Sequence, residues 1–420
     1  MKDTSPAFGG GFRPWFIWVL AAFFYLYEFA VRVAPSVMVD DIQLKYGLDA
    51  AGFGASMSMY YHVYGPMQIL VGPLLDYFGA RYLLVGATLC VALGCFVPFW
   101  MEGVGALTFA RGIMGLGSAF AFVGAMYVAT LYFPKHRLAF FSGITTALGM
   151  AGGIAGEAPM AKVVAILGWE HTFWYAGFLG LFLAFALYLM LPNRTRTPQS
   201  EALQVSFLQT VLAVVRNPQV WVIGMIACVL YAPLAVFADL WGTEYVQSVT
   251  GAERIPSALA NSMLYVGWLI GGPIVGLLAG KINNNRTLLL GSTLCTTIAL
   301  AVFLSFTEMS LPMAQGLLLA IGLASSAQVV CFAAAMHVSP HFAQGSAVAV
   351  TNMFVMLLGG GFQWLAGVIL KAFSESGPMI TKLAPVGSTL IYAAEDFRLA
   401  MLMLPALSAL GILLCFRLKS

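Results

Sequence analysis

Two opposite charges stand in the first apolar run of the chain, FFYLYEFAVRVAPSV. Glu28 and Arg32 are four residues apart, so a helix puts them on one face. A charge at the centre of a bilayer costs about 2.5–3.5 kcal/mol or more, so such residues face a wet cavity or each other. The chemistry open to this pair is capture of an anion on Arg32, with Glu28 as its partner or as a proton carrier. A structural ion pair pinning the first helix to its neighbours is the alternative. Arg111 opens RGIMGLGS in the fourth apolar run, beside Gly112, Gly115 and Gly117, which let a neighbouring helix pack close. It is either a second cavity cation or a helix-end anchor that snorkels outward. Glu157 follows Gly149, Gly152, Gly153 and Gly156 and precedes Pro159. With no local basic residue it suits a proton site, unless it pairs across to an arginine or stays wet near the surface.

Polar side chains on other runs are possible substrate contacts. Tyr60, Tyr61, His62 and Tyr64, followed by Gln68, make the second run aromatic and polar. Tyr61, Tyr64 and Gln68 share one helical stripe and can line a cavity or a buried packing seam. His62 faces elsewhere. Asn261, Gln328, Asn352 and Gln363 are isolated on apolar runs, where interhelical hydrogen bonding competes with substrate binding as their role. Asp239 and Glu244, in FADLWGTEYV, read as the outer end of the seventh run, with Trp241 and Tyr245 as an interfacial belt. No metal-ligand spacing, phosphate loop or nucleophile triad is found, so neither a cofactor nor an enzyme is expected.

The elements that must carry these residues are membrane helices. The chain has 420 residues, 60% of them hydrophobic and 9% charged, with a mean hydropathy of +0.89. A soluble domain carries about 25% charged residues. A net charge of +3 is too small to suggest nucleic acid. The six cysteines lie in apolar runs and read as packing residues rather than a disulfide framework. The first run is too long for a cleavable signal.

Spans near 15–39, 53–76, 82–100, 104–131, 137–164, 172–191, 218–248, 257–280, 287–306, 311–336, 343–372 and 397–416 predict an all-α integral membrane protein with twelve crossings. The less apolar tract 192–216, with Arg194, Arg196 and Arg216, divides six-helix halves at 1–191 and 217–420 and suits a short amphipathic helix on the membrane surface. With both termini on one side, that side receives Lys2, Arg13, Arg81, Lys135, Arg137, Arg194, Arg196, Arg216, Lys281, Arg286, Arg417 and Lys419. The other side receives Lys45, Lys162, Arg254, Lys371, Lys382 and Arg398, so the termini are expected in the cytoplasm.

A compact polar turn joins the second and third runs. Gly72, Asp76, Gly79 and Arg81 give G-x-x-x-D-x-x-G-x-R, with Gly72 expected to admit a close neighbour and the charges placed at helix ends. A degraded copy, GLLAGKINNNR at 276–286, follows the eighth run, with Gly276 and Gly280 at the places of Gly72 and Asp76. Two such turns imply parallel repeats. The run Gly359-Gly360-Gly361 in the eleventh helix invites a kink or hinge.

The turn resembles the loop between the second and third helices of the major facilitator superfamily. The first half is most similar to the anion:cation symporter family. Arg32 stands where that family has a substrate-binding arginine, Tyr64, Gln68 and Gly72 fit its Y-x-x-x-Q-x-x-x-G pattern, and Arg111 opens an R-x-x-x-G-x-G run. Gly168, Trp169 and Phe173 fit its G-W-x-x-x-F entry to the sixth helix. Two departures matter: Val31 replaces an aspartate and Ser118 a proton-coupling glutamate. The Gly-Pro pair of drug antiporters is missing between Gly149 and Pro159. The resemblance implies a monomeric secondary transporter in the inner membrane, working by alternating access around a mid-membrane site. Its substrate would be a small organic anion: a sugar acid, carboxylate, amino acid or short peptide. Arg32, Tyr61, Tyr64, Gln68, Arg111, Asn261 and Gln328 are the expected substrate contacts, with Gly72, Asp76, Gly79 and Arg81 at the cytoplasmic gate. Glu28, then Glu157, is the expected proton site. An uncoupled facilitator, an exporter, or a sensor that kept the fold is the alternative.

Overall fold

The computed structural model describes residues 12–192, 207–282, 284–376 and 392–418. Lys2, Arg194, Arg196, Asn283, Lys382, Lys419 and most of the tract 192–216 lie outside them. The described residues are almost entirely helical, with no strand among them. Ten runs are long and apolar enough to cross a bilayer. One of these, Phe140–Met190, turns back at Gly168, where a backbone φ of +76° ends the fifth helix and starts the sixth. Ala50–Phe78, with Pro66 and Pro73 inside it, completes the twelve crossings.

In chain order the first helix is Phe12–Val33, the second Ala50–Phe78 and the third Ala80–Trp100. The fourth is built from Val104–Ser118 and Ala121–Tyr132, and the fifth begins with Leu138–Gly156. Phe207–Val215 is a short helix where the linker was expected to carry one. The seventh helix comprises Pro218–Ala232, Pro233–Trp241 and Gly242–Thr250, its middle piece wound as a wider π-helix. The eighth is Arg254–Ile282, the ninth Asn285–Ser305, the tenth Leu311–Ser325 with Gln328–His337. The eleventh is Gln344–Ser376, and the twelfth is Ala394–Met401 with Met403–Cys415.

Several helix starts follow from capping chemistry. The side chains of Asp49, Asn217 and Asn284 accept hydrogen bonds from the N–H groups of Gly52, Gln219 and Thr287. The first helix stops sooner than the apolar pattern predicts. Pro35 disfavours α geometry in the residue before it, and Ala34–Val37 tightens into a 3₁₀ turn. Arg32 therefore falls in the last turn of its helix rather than mid-way along it.

Helix pairs bring the first six and the last six crossings together. The second packs along the eleventh, the fifth against the eighth, and the first against the seventh. At the second–eleventh seam a Cβ on Gly360 would lie 2.7 Å from Tyr61 Cβ. Gly360 thus serves close approach, whereas a Cβ on Gly361 would meet nothing, and the helix runs unbroken through all three glycines. The fifth-helix glycines do the same: a Cβ on Gly152 would lie 2.4 Å from the carbonyl oxygen of Leu26. Large apolar side chains such as Phe182 and Leu277 face outward, as a lipid-facing surface requires.

Candidate functional site

Arg32 is the hub of a buried cluster between the two sets of helices. One of its terminal nitrogens lies 3.4 Å from Asp239 Oδ2, and their side chains are 2% and 1% exposed. The same nitrogen donates to the Tyr231 hydroxyl at 3.2 Å. The guanidinium lies over the Phe29 ring, 3.6 Å from its centroid. Asp239 Oδ2 also accepts from the Tyr61 hydroxyl, and Oδ1 accepts from Tyr265 at 2.6 Å. Asp239 sits in the π-wound piece of the seventh helix, a winding that frequently marks functional sites.

Asp239 is the residue the sequence reading misplaced. With Trp241 and Tyr245 it was expected at an interfacial belt, but Trp241 and Tyr245 are fully buried inside the bundle. Trp241 packs on Phe53 and Phe397 and donates to the Gln363 carbonyl. A carboxylate flanked by two aromatics reads as an interface from sequence; only the facing arginine tells otherwise.

Arg111 joins the cluster from the fourth helix. It donates to the main-chain oxygen of Arg32 at 3.3 Å, and its guanidinium lies 5.0 Å from the Tyr60 ring centroid. It is buried and forms no ion pair among the described residues. Snorkelling is therefore not its arrangement here. Glu28 Oε2 accepts from Tyr60 at 2.8 Å, while its Oε1 is buried with no hydrogen-bond partner. Glu28 and Arg32 do not form the ion pair that stood as the alternative; the arginine turns to Asp239 of the seventh helix. Tyr64 stacks on Tyr60. Gln68 lies nearer the chain termini, donating to the Ala119 carbonyl and accepting from Asn352 at 3.0 Å, so it ties the second helix to the eleventh.

Glu157 forms a second buried cluster. Its carboxylate accepts from Ser36 at 2.7 Å, Thr243 at 2.8 Å and Asn261 at 2.9 Å. Hydroxyl and amide donors from distant parts of the chain hold it, and no basic residue pairs with it among the described residues. Asn261 is thereby placed on Glu157 rather than at Arg32. Gln328 is buried where the tenth helix breaks, with no hydrogen bond to either cluster.

The end of the bundle opposite the chain termini, here called the distal end, carries ion pairs across the two sets of helices. Arg254 contacts Asp41 at 2.8 Å and Asp40 at 3.3 Å, and Lys371 contacts Asp49 at 2.8 Å. Burial pushes the Asp40 carboxyl above its ordinary value; Arg254 opposes this and Asp41 adds to it. Burial also pushes Asp49 upward, but hydrogen bonds from Lys371 and Gly52 outweigh it and hold that carboxyl below its ordinary value.

The polar turn lies at the other end. Gly79 has a φ of +78°, which suits glycine and closes the second helix directly onto the third. Arg81 lies over the Tyr188 ring, 4.4 Å from its centroid, within the first six helices. The close neighbour expected at Gly72 is not there: a Cβ would meet nothing within 4 Å.

Residues 17–363 match the Major Facilitator Superfamily, and the chain belongs to that family of membrane transporters. It is 28% identical over 157 residues to a probable sulfoacetate transporter, SauU, of Cupriavidus necator, covering 37% of this chain and 36% of that protein. It is 27% identical over 367 residues to the multidrug transporter MdfA of Edwardsiella ictaluri, covering 81% and 86%. Among solved structures, an inward-facing bacterial homologue of the human lysosomal transporter Spinster superposes with a TM-score of 0.80 at 17% identity, over 98% of each chain. These likenesses establish an integral membrane protein with the twelve-helix fold of the superfamily.

Proposed function

We propose that this chain takes up a small organic anion by alternating access, together with a proton. The observation that carries the reading is Arg111: a buried arginine without an ion pair among the described residues, hydrogen-bonded to the backbone of a second buried arginine, Arg32. Two guanidinium groups on facing helices suit a carboxylate or sulfonate, which can take paired N–H donors. The name of the probable sulfoacetate transporter supports this class, since sulfoacetate is an organic anion, and the range stays at sugar acids, carboxylates, amino acids and short peptides. Tyr61 and Tyr64 border the same region, and Gln68 lies beyond them toward the end that carries the termini.

In this reading the helices at 1–191 and 217–420 rock about the site, joined by the linker 192–216. Gly72, Asp76, Gly79 and Arg81 shape the gate at the end carrying the termini. The excess of lysine and arginine on that side supports a cytoplasmic location for both termini, in the inner membrane. The proton rides on a buried carboxylate, for which Glu28 and Glu157 are the candidates from sequence. The protein works as a monomer.

The long match to a multidrug transporter favours a second reading, export of a drug-like compound. A thermal-shift panel separates the two. Purified protein is screened against sulfoacetate, hexonates, amino acids, dipeptides and a lipophilic cation at acid and neutral pH. The anion reading expects stabilisation by an anion that is lost in Arg32→Lys, which keeps the charge but not the planar fork. Stabilisation by the lipophilic cation alone, or an anion response untouched by Arg32→Lys, overturns it.

A further inference from the structure

We propose that Asp239 is a built-in competitor of the substrate anion for Arg32, and that it takes up the coupled proton when the anion displaces it. This rests on the anion-uptake reading above and names the group that does the coupling.

Arg32 and Asp239 belong to opposite sets of helices, and their side chains meet at 3.4 Å in a place nearly closed to solvent. A substrate carboxylate or sulfonate presents the same oxygens to the guanidinium as Asp239 does. Once such an anion holds Arg32, Asp239 is left as a buried charge without its cation, the arrangement that proteins tolerate least. Adding a proton to Oδ2 removes the charge. One O–H bond forms, the proton comes from water on the side the anion entered, and no other bond changes.

The surroundings fit both forms of the acid. Tyr61 donates to Oδ2 in the ionised form; a phenol hydroxyl also accepts, so it can reverse when Oδ2 carries the proton. Tyr265 goes on donating to Oδ1. Anion and proton then favour each other's binding, which is the linkage that symport needs. Departure of the anion restores Arg32 to Asp239, and the re-formed pair releases the proton on the side where the anion left.

The other charged groups facing the cluster are placed differently. Glu28 is held by Tyr60, Glu157 by Ser36, Thr243 and Asn261, and Arg111 by the Arg32 carbonyl. Neither glutamate forms an ion pair with Arg32 among the described residues, so neither gives up a direct contact with it when an anion arrives.

A test without substrate uses Arg32→Gln, which removes the cation as a bound anion would. Its thermal unfolding should move several degrees higher on acidification, and Arg32→Gln/Asp239→Asn should lose that response. A response that survives in the double variant, or disappears instead with Glu28→Gln, overturns the proposal. Should Arg32→Gln fail to accumulate, rescue by Asp239→Asn but not by Glu28→Gln supports it, and the reverse overturns it. A second test adds sulfoacetate to weakly buffered protein and follows proton uptake. The wild type should take up one proton per anion bound, and Asp239→Asn should bind the anion with none. Proton uptake kept by Asp239→Asn overturns the coupling role. Sulfoacetate binding indifferent to Arg32→Lys counts against the anion reading instead, and the substrate-free test still decides the role of Asp239.

Discussion

The two sets of helices are joined by ion pairs of two kinds. At the cluster, Arg32 and Asp239 are 2% and 1% exposed in their side chains; at the distal rim, Arg254 and its partners Asp40 and Asp41 are 29%, 33% and 39% exposed. The same chemistry means different things in the two places. A rim pair that opens hands both charges back to water and costs little. The buried pair cannot open without a replacement for each partner, because water is not there to accept them. The rim can hold a closed end shut with weak, reversible contacts. The cluster makes its separation conditional on something else being bound.

The largest effect should come from breaking the buried pair on one side. Arg32→Ala is expected to destabilise the protein by about 3–5 kcal/mol, and replacement of both partners by apolar residues should recover most of that loss. Thermal unfolding in detergent with a double-mutant cycle measures it; a single-variant loss under about 1 kcal/mol would place the pair in the rim's class and erase the contrast. Next comes Glu157→Ala, which strands donors from Ser36, Thr243 and Asn261 and should cost about 1–3 kcal/mol. Glu157→Gln keeps acceptor capacity and should cost less, so equal losses in the two would show that the hydrogen bonds do not matter.

At the rim, Arg254→Ala should change stability by less than about 1 kcal/mol while loosening the distal closure. Spin-label distances across the distal end read that loosening, and an unchanged distribution would deny the rim its latching role. The smallest effect concerns pH. Asp49 is held below its ordinary value, so its stabilisation is present above about pH 4 and is lost as pH falls through the lowered value. Asp40 is raised, so its contribution is present below its ordinary value and is lost as pH rises through the raised one. Unfolding profiles of Asp49→Asn and Asp40→Asn should therefore depart from wild type with opposite pH slopes; slopes of one sign would contradict the assignment.

Much of this was legible in the residues. Helical spacing and the scarcity of charge singled out Glu28, Arg32, Arg111 and Glu157, and all four are buried between helices. Apolar length gave the crossings, and glycine at the polar turn gave its φ of +78°. What stayed hidden needed contacts that the chain does not announce. Arg32 and Asp239 are far apart in sequence, and Gln68 meets Asn352 across the two sets of helices. Asp239 was misjudged in depth, because Trp241 and Tyr245 beside it read as an interfacial belt and are buried instead. Gly72 failed for another reason: spacing says which residues can admit a neighbour, while the packing of the moment says whether one is present.

The wide winding at Pro233–Trp241 has a mechanical consequence. A helix turns by about 100° per residue when wound as α. A wide turn advances by less than that per residue, so rewinding this stretch as α with all its residues kept would twist everything beyond it like the shank of a screw. Thr243, just past the stretch, would swing off Glu157, while Tyr231, just before it, would stay at Arg32. The seventh helix is thus a shaft with slack at one point, and that slack sets the angular phase between the Arg32 cluster and the Glu157 cluster.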